Sequence, residues 1–316
     1  MARGEHYVAL ARALDRPAGD AKPVARPEPK PPVAARPTRL SVTEIEHWLR
    51  DPYTIYAKHI LKLAPLDAVD TPPGARDRGT VIHGAIAAFT EEFAAKLPDD
   101  PLRALLALGE THFAALEDYP EAKAFWWPRF ERIANWFVAW EIERRAESRQ
   151  IHAEIRGEIA IPLGTRSFTL SGRADRIERR ADGNYAILDY KTGQVPSEKQ
   201  VRTGLSPQLT LEAAMLRHGG FKEVPKGPAI AELVYVALRG GDPPGEARSI
   251  DFKEGTPDTQ AETALARLTE VARRFESEAQ PYASLVSPMW KTRYGDYDHL
   301  ARVKEWSANG DDGGEG

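Results

Sequence analysis

Three β-type runs stand in a row between residues 151 and 193: "IHAEIRGEIAIPLG", "RSFTLSGRADRIERR" and "NYAILDYKTG". Gly-Thr and Ala-Asp-Gly breaks separate them, and such short breaks join strands into antiparallel hairpins. The second break constrains the chain most, because a turn's length fixes which residues face one another. Ala181-Asp182-Gly183 suits a three-residue loop, a type I turn followed by glycine in the left-handed region. That loop pairs Arg180 with Asn184. Counting outward sets Asp175 opposite Asp189.

Side chains alternate along a strand, so Asp189 and Lys191 share a face and Asp175 is expected on the same side. A two-residue loop would shift the register by one and part the two acids. Opposed carboxylates repel unless a cation joins them. A hard divalent ion with oxygen ligands fits, and Mg²⁺ is commonly held by one or two carboxylates plus substrate phosphate oxygens. A lysine beside it can orient or deprotonate a water, or stabilise charge building on a phosphorane. The plain alternative is a surface hairpin whose charges are solvated, since aspartate and lysine are common residues.

The rest of the chain is read around this hairpin. Residues 1–15 suggest a short helix, and "RPAGDAKPVARPEPKPPVAARP" is too rich in proline and charge to build a core. Residues 1–38 are therefore expected as a Pro-rich linker, largely disordered, followed by a folded domain over 39–306 and a frayed tail over 307–316. Ser41 or Thr43 can cap a helix carrying Ile45, Trp48 and Leu49, and Asp51-Pro52 ends it and opens the next. "RGTVIHGAIAAFTEEFAAKL" is helical, with Val81, Ile82, Ala85, Ala88 and Phe89 along one side. Residues 101–149 read as helical throughout. There Trp126, Phe130, Ile133, Phe137 and Trp140 recur at core spacing, which favours packing over base stacking. Beyond the hairpin come the helix "SPQLTLEAAMLRHGGF", the strand "AIAELVYVALRG", an amphipathic helix from Asp258, and a short docked helix within "YGDYDHLARVKEW".

Bulk composition removes several chemistries. The 316-residue chain has no cysteine, so disulfides, thiolate zinc sites, iron–sulfur clusters and cysteine nucleophiles are excluded together. This fits a reducing cytoplasm. No apolar run is long enough to span a bilayer. The net charge of −4 means that any nucleic-acid contact must come from a local patch.

"GRADRI" followed by "ILDYKTG" resembles the catalytic signature of the PD-(D/E)xK nucleases, in their RecB-like branch. "RGTVIHGAI" is similar to that branch's upstream histidine helix, and "SPQLTLEAA" to its downstream helix opening on Gln-Leu. From Arg39 onward the chain is similar to the C-terminal nuclease domain of the AddB subunit of AddAB helicase–nucleases. The resemblance implies an α/β fold, a restriction-endonuclease-like core whose mixed central sheet is flanked by helices, with a large N-terminal helical insertion.

It also implies roles. Asp175 and Asp189 would hold Mg²⁺ (or Mn²⁺) with His83 and the main-chain carbonyl of Tyr190. Lys191 would position the attacking water, and Gln208 would orient Lys191 or a phosphate oxygen. The implied activity is metal-dependent DNA hydrolysis in double-strand-break repair and recombination. Its implied setting is cytoplasmic and nucleoid-associated, on single-stranded or unwound DNA, with an AddA-type helicase–nuclease subunit as partner. A stand-alone RecB-like exonuclease and a non-catalytic DNA-end-binding or scaffold module are the other readings.

Two departures stand out. Where relatives carry a cysteine-ligated iron–sulfur cluster, this chain has no cysteine and offers Asp51-Pro52 in the region of one cluster ligand. The trailing aromatic of the family's Q-x-x-x-Y helix is replaced by Glu212, which is expected to bear on DNA contact. Arg173 and Arg176 flank Asp175 and suit phosphate contact or simple charge balance. The runs 178–180 and 199–202 are weaker candidates for DNA approach. Glu154 and Glu158, on the preceding strand, fit exposed positions better than an added metal ligand. His47, His59, His112 and His152 are read as structural.

Overall fold

The Ala181–Gly183 turn sets the register of the hairpin as its composition requires. In the computed structural model, which describes residues 2–16, 19, 24–66, 71–286 and 295–307, Gly183 has φ +89°. The Arg180 N–H donates to the Asn184 carbonyl at 2.8 Å, and the Gly183 N–H donates to the Arg180 carbonyl at 3.0 Å. Strand β3 (Ser167–Arg180) thereby pairs antiparallel with β4 (Tyr185–Lys191), from Arg179 opposite Tyr185 to Arg176 opposite Leu188.

Among the described residues the sheet has six strands. β2 (Ser148–Pro162) runs antiparallel along the whole of β3. β1 (Arg39–Ser41) lies parallel to β3 at Thr169–Ser171. β5 (Ile230–Leu238) is parallel to β4, and β6 (Gly245–Ser249) closes the edge antiparallel to β5. β1 and β6 are too short and too polar to show as strands in the sequence pattern. A strand has two edges, and β2 occupies one edge of β3 throughout. β1 and β4 must therefore share the other, leaving a fork between Ser171 and Arg176.

Helices cover both faces, so β4 is buried almost throughout. One core joins Tyr185, Ile187, Leu233 and Tyr235 to α2 (Val42–Arg50), α8 (Gln208–Arg217) and α9 (Pro257–Arg274). The other joins Ala186, Leu188, Tyr190 and Val236 to α4 (Ala75–Glu92), α5 (Pro101–Phe113) and α6 (Pro120–Arg145). The α6 stripe is core, as its spacing implies: Phe130, Ile133 and Phe137 are fully buried. The helical stretch 101–149 breaks between α5 and α6 and ends before β2 begins. Shorter helices complete the chain: α1 (Ala2–Leu14), α3 (Pro52–Ile55, running into a π-turn), α7 (Glu198–Arg202) and α10 (Val303–Ser307). Tyr297, ahead of α10, is buried and donates its hydroxyl to the Leu63 carbonyl at 2.7 Å. The tail past residue 307 lies outside the described residues.

The Pro-rich segment differs in part from its expected disorder. From Val24 to Thr38 it lies against the domain. The Pro27 and Pro29 carbonyls accept from the Ser284 and Tyr282 N–H groups. Arg36 is buried, donating to the carbonyls of Pro31, Phe275, Ser277 and Glu278. Proline removes donors but leaves every carbonyl free to accept; Pro27 and Pro29 accept from main-chain N–H groups of the domain, and Arg36 ties Pro31 to the carbonyls of residues 275–278.

Arg176 follows the charge-balance reading and not the phosphate-contact one. It lies fully buried beneath the sheet rather than on a phosphate-facing surface. Its guanidinium sits 2.6 Å from Glu141 of α6 and 2.7 Å from Glu178, with all three side chains inaccessible to solvent. Arg144 extends the network to Glu178 and Glu232, and Arg180 joins Glu232. Removing the central cation takes the partner from buried Glu141 Oε2 and Glu178 Oε1, while Arg145 and Arg144 still hold the other oxygens. Arg176→Met is expected to destabilise the fold by about 3–5 kcal/mol in urea unfolding. A loss under about 1 kcal/mol, the surface-pair range, would contradict this role for the network.

Candidate active site

The site lies at the fork. Phe168, Leu170 and Ala174 of β3 face the α8 side, as do their β2 partners Ile161, Ile159 and Ile155. Past the fork, Ile177 faces that side instead, while Arg176 and Glu178 face α6. Strict alternation therefore changes phase at Asp175–Arg176. β2 changes phase with it, at Glu154. The Glu154–Asp175 position is the gap in a pairing otherwise constant from Gln150 opposite Arg179 to Pro162 opposite Ser167, apart from Arg149 beyond its end. Glu154 has φ +51°. For a residue bearing a side chain, this costs on the order of 1–3 kcal/mol and persists where surrounding packing enforces it.

Asp175 thus turns into the fork. Its Oδ2 accepts the Tyr190 N–H at 2.8 Å, in place of the next rung of the ladder. The same oxygen lies 3.1 Å from Nε2 of His83, on α4. Gly79, one turn earlier on α4, allows close approach to β4: a Cβ there would sit 2.8 Å from Thr192 Oγ1. His83, Glu154 and Asp175 each offer one ligand atom, and these atoms lie within 4.8 Å of one another.

Neither Glu154 oxygen makes a hydrogen bond, although both are buried; Arg173 Nε lies 2.8 Å from Oε2 outside hydrogen-bond alignment. Burial, and then the Asp175 charge, raise the Glu154 pKa. Burial opposes protonation of His83, but the bond to Asp175 and the surrounding acids outweigh it and raise its pKa. One imidazole nitrogen with two carboxylates, one of them short of hydrogen-bond donors, suits a divalent cation.

A second group adjoins the first. Asp189, on β4, is buried on the α8 side. Its Oδ1 accepts from Lys191 Nζ at 2.9 Å and from Gln208 Nε2 at 2.5 Å. Gln208 Oε1 accepts from Lys191 Nζ at 3.0 Å. Gln208 opens α8, and Arg50 of α2 fixes the approach to that helix by donating to the Leu205 carbonyl and to Ser206 Oγ. Burial drives the Asp189 pKa up to about 6, with the Lys191 charge opposing and Asp175 adding to the rise. Burial disfavours charged Lys191, yet Asp189 and Asp175 raise its pKa overall, so it is an ammonium at neutral pH.

Of the residues picked from sequence, the fold brings His83 to Asp175, and Lys191 and Gln208 to Asp189. Asp189 is outside the three-residue donor group, and the Tyr190 N–H links the two clusters. The Tyr190 hydroxyl accepts from buried Arg176 at 3.2 Å. Glu154 belongs to the site rather than to the exposed strand face, whereas Glu158 is exposed and pairs with Arg39. Counting from Pro162 opposite Ser167 would have placed Glu154 against Asp175, but the turn 163–166 carries no signature that fixes its length. Glu212 does not reach a DNA-facing surface: it is fully buried, and burial followed by the Asp189 and Asp175 charges pushes its pKa well above the ordinary range. His59 pairs with Glu44, His152 with Glu223, and His112 packs against Gly84; Arg202 of the 199–202 run is tied to Glu198.

An open groove of about 1150 Å³ passes Glu154, Arg173 and Gln208 and continues along Arg156, Arg39 and Lys222. No helix among the described residues is long and apolar enough to cross a membrane.

The profile of the PD-(D/E)XK nuclease superfamily matches residues 39–287. An uncharacterised protein of Rickettsia bellii (strain RML369-C) is 31% identical over 278 residues, covering 84% of this chain and 32% of the relative. Another, of Rickettsia felis (strain ATCC VR-1525 / URRWXCal2), is 29% identical over 297 residues, covering 84% of this chain and 34% of the relative. The chain thus spans about a third of the length of these relatives. The crystal structure of SSO0001 aligns with a TM-score of 0.36 at 12% identity, covering 94% of each chain. With its fork, its acidic hairpin and a family match across most of its length, the chain belongs to the PD-(D/E)XK nuclease superfamily.

Proposed function

We propose that this chain is a Mg²⁺-dependent DNA nuclease domain that hydrolyses phosphodiester bonds within an AddAB-like helicase–nuclease, in double-strand-break repair. One observation carries the reading: His83, Glu154 and Asp175 converge with Glu154 short of hydrogen bonds, and the Tyr190 main chain ties them to the strand whose Lys191 is held by Asp189 and Gln208. The larger setting rests on the sequence resemblance of residues 39 onward to AddB nuclease domains.

A divalent ion held by His83, Glu154 and Asp175 would supply a bound water of lowered pKa and positive charge toward the phosphate. The remaining work falls to the chain. Asp175 anchors the donor group to the Tyr190 main chain. Asp189 and Gln208 hold the Lys191 ammonium in one place. Because Lys191 stays protonated, it serves as a hydrogen-bond donor to a water or a phosphate oxygen rather than as a base. Arg156 and Lys222 supply positive charge along a groove whose Arg173 and Arg39 are paired with Glu154 and Glu158.

With single-stranded DNA and Mg²⁺, Asp175→Asn and Lys191→Ala are each expected to slow cleavage by at least about a hundredfold, and Glu154→Gln is expected to weaken it too. Full cutting by Asp175→Asn would reject the site. Metal-independent behaviour of every variant would favour the scaffold reading.

Metal binding should also depend on pH in a defined direction. A bound cation needs neutral imidazole and ionised carboxylates. His83 and Glu154 both hold protons above their ordinary ranges, and Asp189 does so up to about 6. Protons therefore compete with the ion at low pH. Mn²⁺ affinity is expected to rise roughly tenfold per pH unit below the His83 pKa and to level off above it, with protons released on binding. Calorimetric titrations in buffers of differing ionisation heat would check this, and an affinity independent of pH between 5.5 and 7.5 would contradict it.

A further inference from the structure

Glu212 is fully buried on an otherwise apolar stretch of α8, between Leu211 and Ala213. A leucine would fill such a position without the desolvation cost of a carboxyl group. The polar contact of Glu212 is with Gln208, one helical turn earlier: Gln208 Nε2 donates to Glu212 Oε1 at 3.2 Å.

The glutamine amide has a defined polarity here. Its Nε2 carries two hydrogens and faces two acceptors, Asp189 Oδ1 at 2.5 Å and Glu212 Oε1 at 3.2 Å. Its Oε1 faces the Lys191 ammonium at 3.0 Å. Turned by half a rotation, the amide would set oxygen against two carboxyl oxygens and N–H groups against an ammonium. Asp189 and the Lys191 ammonium favour the same direction, and Glu212 adds a third constraint by taking the N–H that Asp189 does not. Glu212 contacts neither Lys191 nor the His83–Glu154–Asp175 group by any hydrogen bond. Its hydrogen-bonded link to the site is through Gln208.

We propose that Glu212 is a positioning residue: by accepting the second N–H of Gln208 it holds that amide in the direction Asp189 and Lys191 favour, and so keeps Lys191 Nζ in place against a phosphodiester substrate. This rests on the nuclease reading above. The requirement is for an acceptor oxygen at this point, not for a negative charge, so the amide isostere meets it and a hydrocarbon does not.

Steady-state cleavage of single-stranded DNA by the full chain with Mg²⁺ tests it, comparing wild type with Glu212→Leu and Glu212→Gln. The leucine variant is expected to lose kcat by about threefold to tenfold, the worth of one hydrogen bond, with KM and Mn²⁺ affinity unchanged. The glutamine variant is expected to keep kcat within about twofold of wild type. A leucine variant with wild-type kcat overturns the role of Glu212, and so does a folded glutamine variant as impaired as the leucine one. Thermal melting establishes folding. Should Glu212→Leu fail to fold, Glu212→Met takes its place, and the glutamine result still decides. Wild-type protein that cleaves no DNA would reject the nuclease reading itself, an outcome separate from an active enzyme indifferent to position 212.

Discussion

The site depends on one hydrogen bond that is not part of the sheet. Where β3 leaves β4, the Tyr190 N–H passes from the ladder to the Asp175 carboxylate. A buried main-chain donor must find an acceptor. At this fork the sequence supplies a charged one, which is also a candidate metal ligand. The parting of the strands, the satisfaction of the backbone and the aim of Asp175 are therefore a single event. β1 occupies the far side of the same edge, so the gap is bounded at both ends by paired backbone.

The layers around the fork divide the labour. The α4 side brings His83, and the α8 side brings Gln208. Beneath, the Arg176–Glu141–Glu178 network ties β3 to α6 and touches the Tyr190 hydroxyl. Buried ion pairs of this kind are weak sources of stability but costly to break on one side. Here the network fixes the position of Tyr190, whose N–H is the donor that Asp175 needs. Rigid support of this sort holds ligand groups in place more firmly than a surface loop can.

The turn and the register out to Arg176 opposite Leu188 were legible because Ala-Asp-Gly determines the loop length, but the expected rung of Asp175 opposite Asp189 does not form, since the strands part before it. The helices bearing His83 and Gln208 were legible from apolar spacing and from family likeness. Three features were not. Glu154 occupies a left-handed backbone position inside a strand, which no propensity anticipates, and it coincides with a phase change that defeats simple alternation. Arg176 looks like surface charge because its acidic partner Glu141 lies 35 residues away in sequence. The Pro-rich segment reads as linker because its contacts use main-chain carbonyls, which every residue has, and one buried arginine, Arg36, that ties it to residues 275–278. In each case the deciding partner is distant in the chain.

Electrostatics gives the site its direction. Glu154, Asp189 and Glu212 all hold their protons above the usual carboxyl range, and His83 holds its proton above the usual imidazole range. Burial starts the rise in each acid, and neighbouring acids add to it. Lys191 answers only part of that charge. Such a cluster is short of positive charge and resists ionising without it. A divalent cation would favour the ionised carboxylates, displace the His83 proton and add to the charge that Arg173 sets against Glu154. Binding energy of that kind is also folding energy for the segments that carry the ligands. The strained turn at Glu154 would then be held by the ion as well as by packing, which ties the stability of the β2–β3 kink to occupancy of the site.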